Sequence, residues 1–335
     1  MDAPSTPSRL PISVIIPAYN AADFLSDAIG SAIHQTRPPA EIIVVDDGST
    51  DDTALIAAKF GVRLLRQPKR GPSAARNAAI RVASQEWIAF LDADDMWEPT
   101  KLEHQWSCLY SDPELGVVCT DASEFDASGL LRPSFFAKLG HYHRIERHQL
   151  APHLVSFEAT SLQFHFNHGN FLLTPTVLVR RALLIEVGLF DETLTHCEDR
   201  ELWLRLLPRT RAGVVELPLM RRRLHSSSTS CDLAKMARGI AGVADRVLAA
   251  PQKYPPAAYE YYRRERSNIY LNAGRFAEEY GDIAAARSFY FRSWQYGANA
   301  RSFCLTVYSC LPAVLRRQIR KALLRARGGL VASQQ

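Results

Sequence analysis

The chain has 335 residues, 47% apolar and 22% charged, with a formal net charge of +5. That length accommodates one large α/β domain plus a smaller appendage, and a modest positive charge without a long basic tract or a groove-reading motif argues against a dedicated nucleic-acid binder. The six cysteines (108, 119, 197, 231, 304 and 310) form no Cys-x-x-Cys pair, which argues against a zinc knuckle or disulfide framework and fits reduced thiols in the cytoplasm.

Residues 1–9 are rich in Pro and Ser and lack a signal-peptide pattern, so they read as a disordered leader. Ile12–Ile16 is a β-branched strand stopped by Pro17, and Phe24 to His34 carries apolar residues at helical spacing. Ile42–Val45 is a second buried strand, followed by Asp46-Asp47-Gly48 and a helix near Asp52–Phe60; Val62–Leu65 is a third. Gly71-Pro72-Ser73 opens a helix over Ala74 to Ala83, and Trp87–Leu91 is a fourth strand that ends in Asp92, Asp94 and Asp95. Crowded carboxylates repel one another unless a cation or donor-rich ligand lies between them. The carboxyl edge of an open α/β sheet is also where ligands bind. This alternation predicts an α/β fold with a mostly parallel sheet and helices on both faces.

Gly116–Thr120 reads as a further strand, whereas periodicity fades from 121 to 170. Order returns with the strand Val177–Val179, helices over Arg180–Val187 and Asp199–Leu207, and strands near Val214–Leu217 and Leu219–Leu224. Ser226 to Ser230 marks a boundary between an α/β domain over 10–230 and a helical region over 231–335. No apolar run reaches the roughly 18–20 residues that cross a bilayer.

Five segments in order carry a resemblance: Val14-Ile15-Ile16-Pro17-Ala18-Tyr19-Asn20, Val44 to Asp51, Gly71 to Asn77, Phe90 to Asp95, and Cys197 to Arg205. Together they resemble the family 2 glycosyltransferases, which have the GT-A fold, over about residues 10–230. The resemblance implies an inverting enzyme that moves a sugar from a nucleotide-diphospho-sugar, most often a UDP-sugar, to a hydroxyl of a glycan or lipid-linked acceptor in cell-surface polysaccharide or glycolipid synthesis. On the matching positions, Pro17 and Tyr19 border the nucleoside, although Tyr19 fits ordinary core packing equally well. Asp47 accepts the uracil imide N–H while Asp46 caps the following turn. Arg76 reaches the nucleoside or its phosphates, Asp92 faces the ribose, and Asp94 holds Mg²⁺ or Mn²⁺ on the diphosphate. His225 completes the metal shell, bonds the diphosphate or serves structure. Asp199 is the general base, with Cys197 in place of the usual small residue narrowing the acceptor channel. His168-Gly169-Asn170 borders the acceptor.

A Gly-x-Gly-x-x-Gly epimerase fingerprint is absent, as is the N-terminal basic Gly-rich loop of a nucleotidyltransferase. A non-catalytic carbohydrate-binding module on this fold is the remaining alternative; it would tolerate loss of Asp94 or Asp199, and both are present. Histidines 141, 143, 148, 153, 165 and 168 lack zinc-ligand spacing.

Beyond 231, helices over Tyr261–Tyr280 and Ile283–Tyr296 meet at Gly281-Asp282, similar to one tetratricopeptide-like hairpin. One such unit packs on a neighbour rather than standing alone. Leu311 to Arg327 reads as a basic amphipathic helix, either docked with its charges in water or attached to an anionic membrane surface. The second is the expectation carried forward, giving a cytoplasmic protein peripheral to the membrane's inner face.

Overall fold

Strand β1 (Leu10–Ala18) is apolar at nearly every position because both of its faces are covered. Its Ile12, Val14 and Ile16 enter one core cluster and Ile15 the other. The computed structural model describes residues 9–140, 142–159, 170–225, 232–297, 300–312, 314–316 and 318–319. Beside β1 run β2 (Pro39–Asp46) and β4 (Trp87–Phe90), both parallel to it, with β3 (Arg63–Arg66) parallel to β2. The remaining strands are β5 (Met96–Trp97), β6 (Leu115–Asp126), β7 (Gly129–Arg132), β8 (His148–Ala151), β9 (Leu154–Phe157), β10 (Leu178–Arg180) and β11 (Arg211–Arg223). The sheet order is β3-β2-β1-β4-β10-β6-β11-β9-β8, with β7 pairing β6 and β5 pairing β11.

One sheet face is covered by α1 (Leu25–Ile33), α2 (Thr53–Lys59) and α4 (Lys101–Ser111), which contribute Leu25, Ala28, Ile29, Ala57, Leu102 and Leu109 to that core. The other is covered by α3 (Pro72–Val82), α5 (Arg181–Glu186) and α6 (Glu198–Leu206), through Ala75, Ile80, Leu184, Leu202 and Trp203. Trp203 is fully buried and its Nε1 donates to the Leu172 carbonyl at 3.0 Å. The predicted α/β class with helices on both faces therefore stands, though beyond β4 the sheet is mixed.

Two expectations need correction, and one strand went unread. The stretch after Thr120 is not devoid of regular structure: β6 runs on to Asp126, and β7, β8 and β9 follow. Its alternation is masked by polar residues that the fold buries with partners. Asp121, for example, accepts the N–H of Phe135 (3.0 Å) and Phe136 (2.9 Å) and the hydroxyl of Ser134 (2.5 Å). The two strands expected around Pro218 are one, β11, because the ladder to β6 absorbs the missing proline N–H in register shifts on either side of Pro218. Finally, the short β5 escaped the sequence because its pairing with Met220 and Arg221 is wholly tertiary.

After residue 231 come α7 (Leu233–Ala249), α8 (Pro256–Glu279), α9 (Ile283–Gly297) and α10 (Ala300–Cys310). Helix α8 begins a turn and a half before the expected Tyr261, with Pro256 in its first turn. Val243, Ala244, Val247, Ala258 and Tyr262 enter the same core cluster as Phe90 and Trp203, so the helical region packs directly on the α/β domain. The leader, the boundary at Ser226–Ser230, Cys231, His141, His165, His168 and most of the expected helix over 311–327 lie outside the described residues. Among the described residues no helix is long and apolar enough to cross a membrane.

Candidate functional site

The carboxyl ends of β1, β2 and β4 lie at one sheet edge, and a cleft of about 880 Å³ opens there. Strand β11 ends at the same edge because it runs parallel to β6, which is related to β4 through two antiparallel steps across β10. Topology therefore brings residues from 17 to 225 to one wall.

Strand β1 delivers Pro17 and Tyr19 to the cleft. Tyr19 is 40% exposed, which removes the core-packing alternative, and Lys69 Nζ sits 3.7 Å from its ring centroid. Strand β2 delivers the two aspartates, which divide their tasks. Asp46 accepts the Ser49 N–H at 2.9 Å and so caps the turn. Asp47 accepts Gln67 Nε2 (2.7 Å) and the backbone N–H groups of Arg70 (2.9 Å) and Gly71 (2.7 Å). It therefore fixes the loop that forms the cleft wall, while itself lining the cleft. Gly71 has φ +93°, a left-handed conformation that admits glycine readily, and precedes Pro72 at the start of α3.

Arg76, on α3, is buried and sits between two acids: Nη2 donates to Asp92 Oδ1 at 2.7 Å and Nη1 to Glu198 Oε1 at 2.8 Å. Its Nε has no partner among the described residues. The guanidinium thus bridges the acidic end of β4 to the start of α6. Asp95, the most buried acid of the β4 cluster, accepts the Arg223 N–H at 2.9 Å. Arg223 Nε in turn donates to the Asp94 carbonyl at 3.0 Å, so the end of β11 is clamped to the acidic turn. Burial and the neighbouring Asp94 and Asp92 charges push the Asp95 carboxyl well above the usual range. The clamp sets His225 beside Asp94: its Nε2 donates to Asp94 Oδ2 at 2.9 Å, and both line the cleft.

Across the cleft, α6 starts at Cys197, itself in a left-handed conformation (φ 60°). Glu198, Asp199 and Glu201 occupy the first turn, where the helix dipole favours carboxylates. Asp199 Oδ2 accepts Asn170 Nδ2 at 2.9 Å and its Oδ1 accepts the Arg200 N–H at 2.7 Å. Burial, then the Glu198 charge, pushes the Asp199 carboxyl up to about 6 despite Arg76 and these hydrogen bonds. Cys197 Sγ faces α7, where Gly239 leaves room for it: a Cβ on Gly239 would lie 2.8 Å from the sulfur.

Pro17, Tyr19, Asp47, Arg76, Asp92, Asp94, Asp199 and His225, all singled out in the sequence, line this one cleft. The sequence reading missed roles for Lys69 and Glu198, and it placed Asn170 at the acceptor border without its hydrogen bond to Asp199. Lys69 lies two residues before Gly71 and Glu198 directly before Asp199, so adjacency to a motif was their signal. Asn170 had no such marker of its hydrogen bond to Asp199. Among the described residues no set of three or more His, Cys, Asp or Glu is grouped to hold a metal unaided.

The sheet order and the helices on its two faces are those of a GT-A-type fold. A mannosyltransferase from Pyrobaculum calidifontis, solved with GDP-Man and Mn²⁺, superposes with a TM-score of 0.57 at 18% identity, covering 91% of this chain and 86% of that one. Residues 13–172 match the family model of Glycosyl transferase family 2. An uncharacterized glycosyltransferase of Rickettsia typhi is 31% identical over 223 residues, 65% of each chain. The succinoglycan biosynthesis protein ExoU of Rhizobium meliloti is 33% identical over 208 residues, 58% of this chain and 56% of its own. The match thus spans less than two thirds of either relative's length. Over residues 13–172 of its α/β domain the chain is similar to the glycosyltransferases of family 2.

Proposed function

We propose that the protein transfers a sugar from a nucleotide-diphospho-sugar, a UDP-sugar in the first instance, to a hydroxyl of a glycan or lipid-linked acceptor, with inversion. The observation that carries this reading is the placement of Asp199 across one cleft from the acidic end of β4. In this account Pro17, Tyr19 and Asp47 border the nucleoside, Asp92 meets the ribose, and Arg76 holds Asp92 in place.

Asp94 and His225 fit a divalent cation of the Mn²⁺ or Mg²⁺ kind. The Asp94 carboxylate and the His225 imidazole stand side by side at an acidic edge, and with the imidazole nitrogen deprotonated they would hold such an ion. Such an ion would offset charge on the departing nucleoside diphosphate. The mannosyltransferase neighbour, solved with GDP-Man and Mn²⁺, supports the same assignment.

Asp199 takes the proton from the acceptor hydroxyl as that oxygen attacks the anomeric carbon. Its raised pKa makes it a stronger base than an ordinary carboxylate while leaving it ionised at neutral pH. Asn170 orients it. A single base, without a second carboxylate acting as nucleophile, corresponds to direct displacement with inversion. The likeness to ExoU supports a polysaccharide-building task.

A thermal-shift panel of nucleoside diphosphates with and without Mn²⁺ tests the donor assignment, because a ligand that binds only the native state raises the melting temperature. The reading expects a shift for UDP that requires the metal; a flat panel across all nucleotides would overturn it.

A further inference from the structure

Charge is distributed unevenly along this chain. Residues 283–335 contain nine Lys or Arg and no Asp or Glu, whereas the first 282 residues contain thirty-one basic and thirty-five acidic side chains. The weak overall positive charge therefore conceals an acidic body with a cationic end.

The described part of that end also carries large aromatics at its surface. Phe291 and Trp294 on α9 and Phe303 on α10 are 43%, 36% and 48% exposed. They touch one another, with centroids 5.9 Å apart for Phe291–Trp294 and 5.5 Å for Trp294–Phe303. Val307, one helical turn after Phe303, is exposed as well. The basic segment starts next to this patch: Tyr308 Oη donates to the Arg316 carbonyl at 3.2 Å, and Val314, Leu315 and Ile319 are exposed. The opposite side of α9 explains why these residues are free to face outward. Tyr290 and Ser293 point into the contact with α8, Tyr290 against Gly274 and Ser293 against Ser267.

We propose that the Phe291–Trp294–Phe303 cluster docks on an anionic bilayer surface, a partner whose charge complements the acid-free, cationic composition of residues 283–335. The chemistry is specific to that partner. Aromatic rings favour the headgroup level of a membrane, where one side is apolar and the other wet. Basic residues beside them are attracted by anionic lipid, and that attraction is screened by salt. A protein partner of ordinary surface composition would not call for fifty-three residues without one acid. The cluster lies on α9 and α10, outside the cleft, and none of its residues belongs to the cleft wall.

The test uses the full chain with vesicles of phosphatidylcholine containing about one-third phosphatidylglycerol. Co-sedimentation at low salt and at about 1 M salt is measured for wild type and for the triple variant Phe291→Ser, Trp294→Ser, Phe303→Ser. The proposal expects salt-sensitive binding by wild type, at least about tenfold weaker in the triple variant. It also expects a blue shift of tryptophan emission on vesicles that Trp294→Phe removes. The melting temperature and nucleotide affinity of each variant, measured alongside, establish that it is folded, and they fail or hold independently of vesicle binding. No binding by wild type at low salt would overturn the proposal, as would equal binding by the triple variant. So would a dimer in light scattering that the triple variant dissolves, because the patch would then belong to a second copy of this chain.

Discussion

Asp199 and Glu198 are adjacent carboxylates whose different surroundings give them different work. Glu198 is neutralised by Arg76 at 2.8 Å, while Asp199 meets the neutral amide of Asn170 and is pushed up to about 6. The proposed base is protonated and idle below that pH and ionised above it, so transfer should rise as pH rises through about 6. Glu198→Gln removes the like charge and frees the Arg76 cation, and both effects favour ionised Asp199. The acid limb of the kcat profile should then move to lower pH, and an unmoved limb would remove Asp199 as the titrating group. Asp199→Asn should keep donor affinity and lower transfer by ~10²–10⁴-fold, measured as kcat against Kd for the nucleotide. Activity within a few-fold of wild type would reduce Asp199 to a helix-start residue. Much of this site was legible in the sequence, since Asp47, Asp92, Asp94 and Asp199 stand at strand or helix ends within recognisable motifs. The engagement of Arg76 by two acids was not legible, because the pairing of residues 76, 92 and 198 depends on how α3 and α6 meet.

At the scale of elements, α6, the helix that carries Asp199, is held from outside the α/β domain. Tyr262 on α8 accepts Arg200 Nε at 2.9 Å, and Tyr254 Oη donates to Glu201 Oε1 at 2.6 Å. Helix α7 closes on the turn before α6, where a Cβ at Gly239 would lie 2.8 Å from both Cys197 Sγ and the His196 carbonyl. Cys197 packs toward α7 and also lines the cleft, where Met236 and Ile240 of the helical region stand beside it. Gly239→Leu should cost about 1–3 kcal/mol, the usual penalty of overpacking, and lower kcat more than donor affinity, because α6 carries the base and the donor wall is elsewhere. A variant with wild-type melting temperature and kcat would show that α7 does not set the position of α6. The sequence showed that this region is helical; it could not show that two of its side chains, Tyr254 and Tyr262, reach α6, since those contacts have no local periodicity.

For the molecule as a whole, the parallel half of the sheet was legible because strands buried on both faces are almost uninterruptedly apolar, as in Ile12–Ile16 and Ile42–Val45. The mixed half was not, because buried Asp121 and Glu124 interrupt the apolar pattern of β6 and find their partners only in the fold. This mixed half matters for function: β11 returns parallel to β6 and brings His225 to Asp94, 131 positions earlier in the chain. The central claim is that this meeting point holds a nucleoside diphosphate through a divalent cation. Calorimetric titration of wild type and Asp94→Ala with UDP in the presence of Mn²⁺ tests it most directly. The account predicts saturable, metal-dependent binding by wild type, weakened at least about tenfold in the variant, with an unchanged melting temperature of the free protein. Equal affinity in the two proteins, or binding indifferent to Mn²⁺, would contradict it.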